Sequence, residues 1–253
     1  MMRTHPVLCS PVVRATGPAR PAAVLAAVYL LVLAVGLAAA QQPMAGDTPM
    51  NDLVQRETIE WSNIWWSHAN DDSLPRVLLI GDSISVGYSP LVTELLKAKV
   101  NVDRFGTSRS INDPALIEET RFILAQYRYV AIHFNNGLHG GHLPDDVYAA
   151  ALADYVKLLR DLGQGAKLVW GSSTPVTVPN HPDTVAEDRN ARVVSRNQQA
   201  LAVMQAAGIP VDDLYGAVFG RPELKSADGV HLNGDGYQVL GKGVAEALLP
   251  LLP

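Results

Sequence analysis

The sequence has almost no cysteine: one residue in 253, Cys9, placed ahead of an apolar run near the N-terminus. A chain that lost this segment would hold no disulfide and no thiol nucleophile or thiolate ligand. Cys9 also does not adjoin a small-residue cleavage site, which gives no support for a lipoprotein anchor. Positive charge is scarce as well, with 20 Lys and Arg against 25 Asp and Glu. No basic cluster stands out, so nucleic acid is set aside as a partner, because phosphate contacts need grouped Lys and Arg. Internal repeats and low-complexity blocks are lacking too. What remains is an ordinary globular composition, 48% hydrophobic and 18% charged, long enough for one well-buried core.

Residues 1–40 read as a leader. Arg3, Arg14 and Arg20 precede "AAVLAAVYLLVLAVGLAAA", which ends in Ala38-x-Ala40. This is the charged, apolar and small-residue order of a secretory signal peptide. The alternative is an uncleaved anchor, since Pro21 to Ala40 has about the 20 residues a membrane span requires. The Ala-x-Ala end and the lack of a following positive cluster favour cleavage and a secreted or periplasmic location; membrane association is expected only if the leader is retained. Cleavage leaves 17 basic residues against 25 acidic, a net charge of −8. Residues 41–75 form a polar, Pro- and Gly-containing linker followed by the Trp-rich lead-in "EWSNIWWSHAN". Those tryptophans either pack the lead-in onto the domain or stack on sugar rings at a site rim.

From residue 76 to 253 short aliphatic runs alternate with amphipathic ones. Strands are expected at "RVLLI" (76–80), "VNVDRF" (100–105), "YVAIHF" (129–134), "AKLVWG" (166–171) and "IPVDD" (209–213). Helices are expected near Ser89–Lys99, Pro114–Tyr127, Pro144–Leu162, Val185–Ala207 and Gly236–Leu249. Strands that are apolar throughout predict burial on both faces, hence a three-layer α/β/α sandwich around about five parallel strands. Such sheets place ligands at the carboxyl ends of their strands, and there the sequence collects "GDSIS", "GTSRSINDP", "NNGLHGGH" and "SSTPVTVPNHP".

Ser83 follows the first of these strands and precedes a helix. It is either a cap residue or a nucleophile that needs a base to take its proton. Gly-x-Ser-x-Gly is not satisfied, because Ser85 stands where the second glycine belongs, and an ordinary α/β-hydrolase is disfavoured. The partner signal is "ADGVHLNGDGYQVLG", in which Asp228 and His231 lie three apart before the last helix. An imidazole and the carboxylate that fixes its tautomer must stay close, and this spacing delivers that. An Asp-Gly turn beside a surface histidine is the plainer alternative. The three histidines of "HFNNGLHGGH" (His133, His139, His142) match zinc spacing poorly, and no metal is expected. Arg189, Arg192 and Arg196 read first as a solvated helix face, though they could steer an anionic substrate.

"IGDSIS" together with "DGVHLNGDGY", at opposite ends of a five-strand α/β pattern, resembles the GDSL, or SGNH, hydrolase family of serine esterases and lipases over roughly Arg76–Leu249. The resemblance implies a flavodoxin-like sandwich and an ester hydrolase without cofactor. It also implies Ser83 as nucleophile, His231 as base and Asp228 as its orienting acid. The family's oxyanion hole falls on the Ser83 N–H, on Gly106 as the only glycine of "RFGTSRSINDP", and on an asparagine side chain. The Gly-x-Asn-Asp pattern for that asparagine lands on "GLHG", with His139 in place of the amide. Either neutral His139 donates a ring N–H, or Asn136 (or Asn135 beside it) supplies the amide. A small-molecule or glycan ester is the expected substrate, with a short acyl group because no apolar insertion forms a lid. Acyl transfer to a sugar, or a catalytically silent carbohydrate-binding module, are the alternatives.

Overall fold

Every residue of Arg76–Gly81 is buried, and its side chains divide between two cores. Leu78 and Ile80 join one apolar cluster, Val77 and Leu79 the other, as the two-residue period of a strand requires. The computed structural model describes residues 53–253, so the leader and the start of the linker lie outside the described residues. The main sheet has six strands: β1 (Ser62–Trp65), β2 (Arg76–Gly81), β3 (Asn101–Thr107), β4 (Tyr129–Phe134), β5 (Lys167–Gly171) and β8 (Val211–Asp212). Their spatial order is β1-β3-β2-β4-β5-β8. β1 runs antiparallel to β3, and all other pairings are parallel. The five parallel strands thus have the flavodoxin-like order, and the chain reverses its direction of travel across the sheet at β2.

Helices cover both faces. α1 (Ser83–Leu96) and α6 (Gly234–Leu248) pack over Val77, Leu79 and Val102. α2 (Pro114–Leu124), α3 (Asp145–Leu162) and α4 (Glu187–Ala207) cover Leu78, Phe105 and Phe134. The short α5 (Leu214–Val218) joins the first group. Helix ends follow the side chains available. Asp113 caps α2 through Ala115 N–H, ahead of Pro114, whose missing donor is harmless in a first turn. Gly208 ends α4 in the left-handed conformation, φ 64°. No helix among the described residues is long and apolar enough to cross a membrane.

Three elements depart from the expected boundaries. α1 begins at Ser83, six residues before the expected Ser89, because Asp82 caps it and Pro90 is tolerated inside. Proline cannot donate to the carbonyl four residues back; here that carbonyl, Val86 O, accepts the Ser89 hydroxyl at 2.9 Å instead. The lead-in contributes β1, so the sheet starts ahead of Arg76. Trp66 packs edge-on to Phe122 and beside Tyr127, while Trp65 is exposed. The loop after β5 carries a hairpin of β6 (Thr177–Val178) and β7 (His181–Val185).

Candidate active site

The site lies at the carboxyl end of β2, at the strand where the chain's direction across the sheet reverses. Gly81 is dictated by the tightness of the strand-to-helix turn: a Cβ there would come within 2.6 Å of Ser85 Cβ. Asp82 Oδ1 accepts the Ile84 N–H at 2.9 Å and fixes the first turn of α1. Burial pushes the Asp82 carboxyl up, against the opposing pull of His139 and of the Ile84 and Ser85 N–H groups. Capping thus falls to Asp82, and the Ser83 hydroxyl is left for another partner.

That partner is His231. Ser83 Oγ lies 2.8 Å from His231 Nε2, and His231 Nδ1 lies 2.7 Å from Asp228 Oδ2. A carboxylate only accepts, so Nδ1 carries the proton and, in the neutral ring, Nε2 accepts from Ser83. Asp228 is also the turn residue of the plainer reading: its Oδ1 accepts the N–H groups of Val230 and His231, both at 2.8 Å. Burial alone would raise the Asp228 carboxyl, but these two N–H groups, the His231 ring and the Ser226 hydroxyl outweigh it. They hold the carboxyl well below the ordinary carboxylate range. Gly229 follows at φ 78°, its space closed by Thr177 O at 2.3 Å from where a Cβ would lie. The β6–β7 hairpin ties this loop in place, Thr177 N–H donating to Gly229 O and Asn180 N–H to Ala227 O. Behind it the buried Lys225 ammonium donates to Pro175 O. Burial lowers its pKa to about 8, with Asp228 pulling the other way.

Ser83, His231 and Asp228 open onto a cleft of about 320 Å³ whose other walls include Gly137, Leu138, His139, Glu57, Arg189 and Arg192. His139 faces this cleft, with an addition that the sequence did not reveal. Its Nδ1 lies 2.6 Å from Glu57 Oε1, so Nδ1 donates to the carboxylate and the neutral ring has only an acceptor, Nε2, left. The expectation that neutral His139 offers a ring N–H to an oxyanion is corrected: with Glu57 in place, only the imidazolium could donate from Nε2.

Gly106 is inside β3, in register with Gly81 of β2 and Asn63 of β1, and a Cβ there would lie 3.7 Å from Asp82 O, one residue ahead of Ser83. Its lack of a side chain serves packing, since a Cβ would come within 2.4 Å of Val86 Cγ2 on α1. Asn136 directs its amide to Arg109 O at 2.9 Å, and Asn135 donates to Gly171 O at 2.6 Å and Ser173 Oγ at 3.2 Å. Both amides brace loops beside the site. Ser83, whose N–H has no intrahelical acceptor at the helix start, and the loop Gly137–His139 line the cleft with backbone.

Arg196 shapes that loop. Expected on a solvated face, it is 1% exposed, and its guanidinium donates to Gly137 O at 2.9 Å, His139 O at 2.7 Å and Gly140 O. Its neighbours on one face of α4 are Val193, Ala200 and Met204, all buried. That stripe at helical spacing runs through position 196, and it is the sequence signal that could have placed Arg196 inside. Arg196→Met is expected to leave three carbonyls without donors, lowering stability by about 3 kcal/mol and turnover with it. Urea unfolding midpoints and initial rates check this; unchanged values of both would contradict the role given to Arg196.

Glu57 reaches the cleft because the lead-in is fastened at several points. Arg56 forms a two-bond contact with Asp113 at 2.8 and 3.0 Å, Ser108 Oγ donates to Glu60 Oε2, and Trp61 N–H donates to Ser108 Oγ. The remaining histidines have separate partners: His133 Nε2 pairs with Asp212 Oδ2 at 3.0 Å, fully buried, and His142 Nε2 donates to Leu53 O.

The profile of the GDSL-like lipase/acylhydrolase family matches residues 79–239, more than half of the chain. No curated protein matches. Similar solved structures include the lipase/acylhydrolase from Enterococcus faecalis, at 19% identity and TM-score 0.58, covering 71% of this chain and 98% of that one. The aryl esterase of M. smegmatis aligns at 17% identity and TM-score 0.59, covering 70% of this chain and 100% of that one. A carbohydrate acetylesterase from Sinorhizobium meliloti aligns at 14% identity and TM-score 0.59, with the same coverages. At these identities the solved structures establish the fold, and the family match, spanning both the Ser83 and the His231 segments, establishes the lineage. The chain belongs to the GDSL-like lipase/acylhydrolase family of SGNH hydrolases.

Proposed function

We propose that the protein is an exported serine esterase that cleaves short-chain carboxylic esters through an acyl-serine intermediate. The single observation that carries this reading is the chain of hydrogen bonds Asp228–His231–Ser83 at the mouth of a solvent-reachable cleft. His231 Nε2 takes the Ser83 proton as Oγ bonds to the acyl carbon; the same proton then passes to the departing alkoxide as the ester C–O bond breaks. Water enters, gives a proton to His231, and its oxygen displaces Ser83 from the acyl carbon, regenerating the hydroxyl. The Ser83 N–H and the N–H groups of the Gly137–His139 loop are the proposed cradle for the oxyanion.

Substrate size follows from the cleft. At about 320 Å³ it is at the small end for ligand sites, which suits an acetyl-sized acyl group on a sugar-sized alcohol better than a long-chain lipid. The His231 and Asp228 side chains are 39% and 52% exposed, so water reaches the acyl carbon and hydrolysis is favoured over transfer to a sugar hydroxyl. A pure binding module would have no use for a serine aligned on an oriented imidazole. Export rests on the leader in the sequence, residues 1–40.

The test is para-nitrophenyl acetate turnover, quenched in acid and followed by peptide mass analysis. Acetylation of the peptide holding Ser83 is expected; hydrolysis with acetate on another residue, or no turnover at all, would contradict the proposal. If adding a glycan acceptor speeds nitrophenol release while free acetate stays constant, the enzyme is a transferase.

A further inference from the structure

We infer that the ester this cleft selects carries an anionic group, bound by Arg189 and Arg192. The inference rests on the esterase reading above and adds the charge of the substrate to it. Both side chains line the same cleft as Ser83 and His231. Neither forms an ion pair or hydrogen bond with any described residue, although the chain as a whole has more acidic than basic residues.

The first turn of α4 also holds Glu187 and Asp188, and neither pairs with Arg189 or Arg192. The helix starts at Glu187, so Arg189 falls in its first turn, where the unpaired N–H groups already supply positive potential and a cation is unfavourable. Arg192 stands three residues on, on the same face, so the two guanidiniums repel each other. Arg192 lies over the loop after β4, its Nη1 2.8 Å from the position a Cβ on Gly141 would take. The positive charge of Arg192 also bears on the buried Arg196 beneath. Two mutually repelling cations at the positive end of a helix, aimed into the reaction cleft, are what an anion would settle. The acidic residues of the cleft are already committed: Glu57 to His139, Asp228 to His231.

A guanidinium presents a planar fork of donors that matches a carboxylate in two bonds. A carboxylate on the substrate could belong to the acyl half of the ester or to the alcohol half, so the test has two arms. The first compares para-nitrophenyl hemisuccinate with para-nitrophenyl butyrate. The second compares O-acetylated galacturonic acid with O-acetylated galactose. In at least one arm the wild-type protein is expected to favour the anionic member in kcat/KM. The Arg189→Gln/Arg192→Gln pair is expected to lower the anionic-to-neutral ratio about tenfold, as two partly screened charges warrant. Charge reversal at Arg192→Glu is expected to lower it further.

Both side chains are exposed, so the Gln variants should melt at or slightly above the wild type, and the ratio within each variant cancels any general loss of activity. Hydrolysis of all four esters without anionic preference, or a preference that survives substitution of both arginines, would overturn the inference and leave the esterase reading intact. Failure to hydrolyse any of the four would overturn both.

Discussion

Ser83→Ala is expected to lower kcat for ester hydrolysis on the order of 10⁵- to 10⁶-fold, the loss seen when a nucleophile working as a unit with its base is removed. The fold should persist. The residue that caps α1 is Asp82, whose Oδ1 holds the Ile84 N–H, and the Ser83 hydroxyl contacts only His231 Nε2 within the described chain. Removing it leaves one imidazole nitrogen facing solvent, and stability should change by no more than about 0.5 kcal/mol. Stopped-flow or end-point hydrolysis measures the first quantity, thermal melting the second. Retained activity with an intact melt would mean that the reaction runs through another group.

Asp228→Asn should cost about 10⁴-fold in kcat, and its structural logic separates the two jobs of this residue. Asp228 Oδ1 accepts the N–H groups of Val230 and His231. An asparagine keeps that oxygen, so the turn before α6 should survive. The other position changes from a carboxylate oxygen facing His231 Nδ1 at 2.7 Å to an amide that donates. Nδ1 must then accept, the ring proton moves to Nε2, and the imidazole can no longer take the Ser83 proton. Asp228→Ala removes both jobs and should lose loop stability as well as rate. Because Asp228 is held well below the ordinary carboxylate range, it stays ionised as the pH falls past the point where an unperturbed carboxylate protonates. Protonation of Asp228 should therefore contribute no loss of activity in mild acid. A pH profile of kcat/KM checks this.

The parts of the molecule written in continuous local pattern were legible. "RVLLI" and "YVAIHF" are mainly apolar on both faces, Arg76 and His133 apart, and proved to be central strands. The five parallel strands and their flanking helices follow from that period and from caps such as Asp113 and Gly208. What stayed hidden has little local pattern. β1 has four residues, only one of them partly buried, and β6 has two; neither is long enough to alternate. α1 starts six residues ahead of the expected Ser89, and nothing local announced that the Ser89 hydroxyl would serve the carbonyl that Pro90 leaves without a donor.

At the site the divide is similar. Ser83, Asp228 and His231 are readable because a motif marks each end of the domain. An oxyanion cradle of backbone, as proposed, is not, because N–H groups carry no residue identity. The match of "GLHG" to a side-chain donor pointed to His139, which does reach the cleft, but its ring is already engaged with Glu57 from the lead-in. That contact joins residues 82 apart and depends on the anchoring of Arg56 and Trp61, which no spacing rule could supply.

The most direct test of the central claim is covalent labelling of the folded protein by a fluorophosphonate, with the modified peptide identified by mass. The account predicts one label on Ser83, absent in Ser83→Ala and strongly slowed in Asp228→Asn. A wild-type protein that stays unlabelled, or that labels equally after Ser83 is replaced, would contradict it.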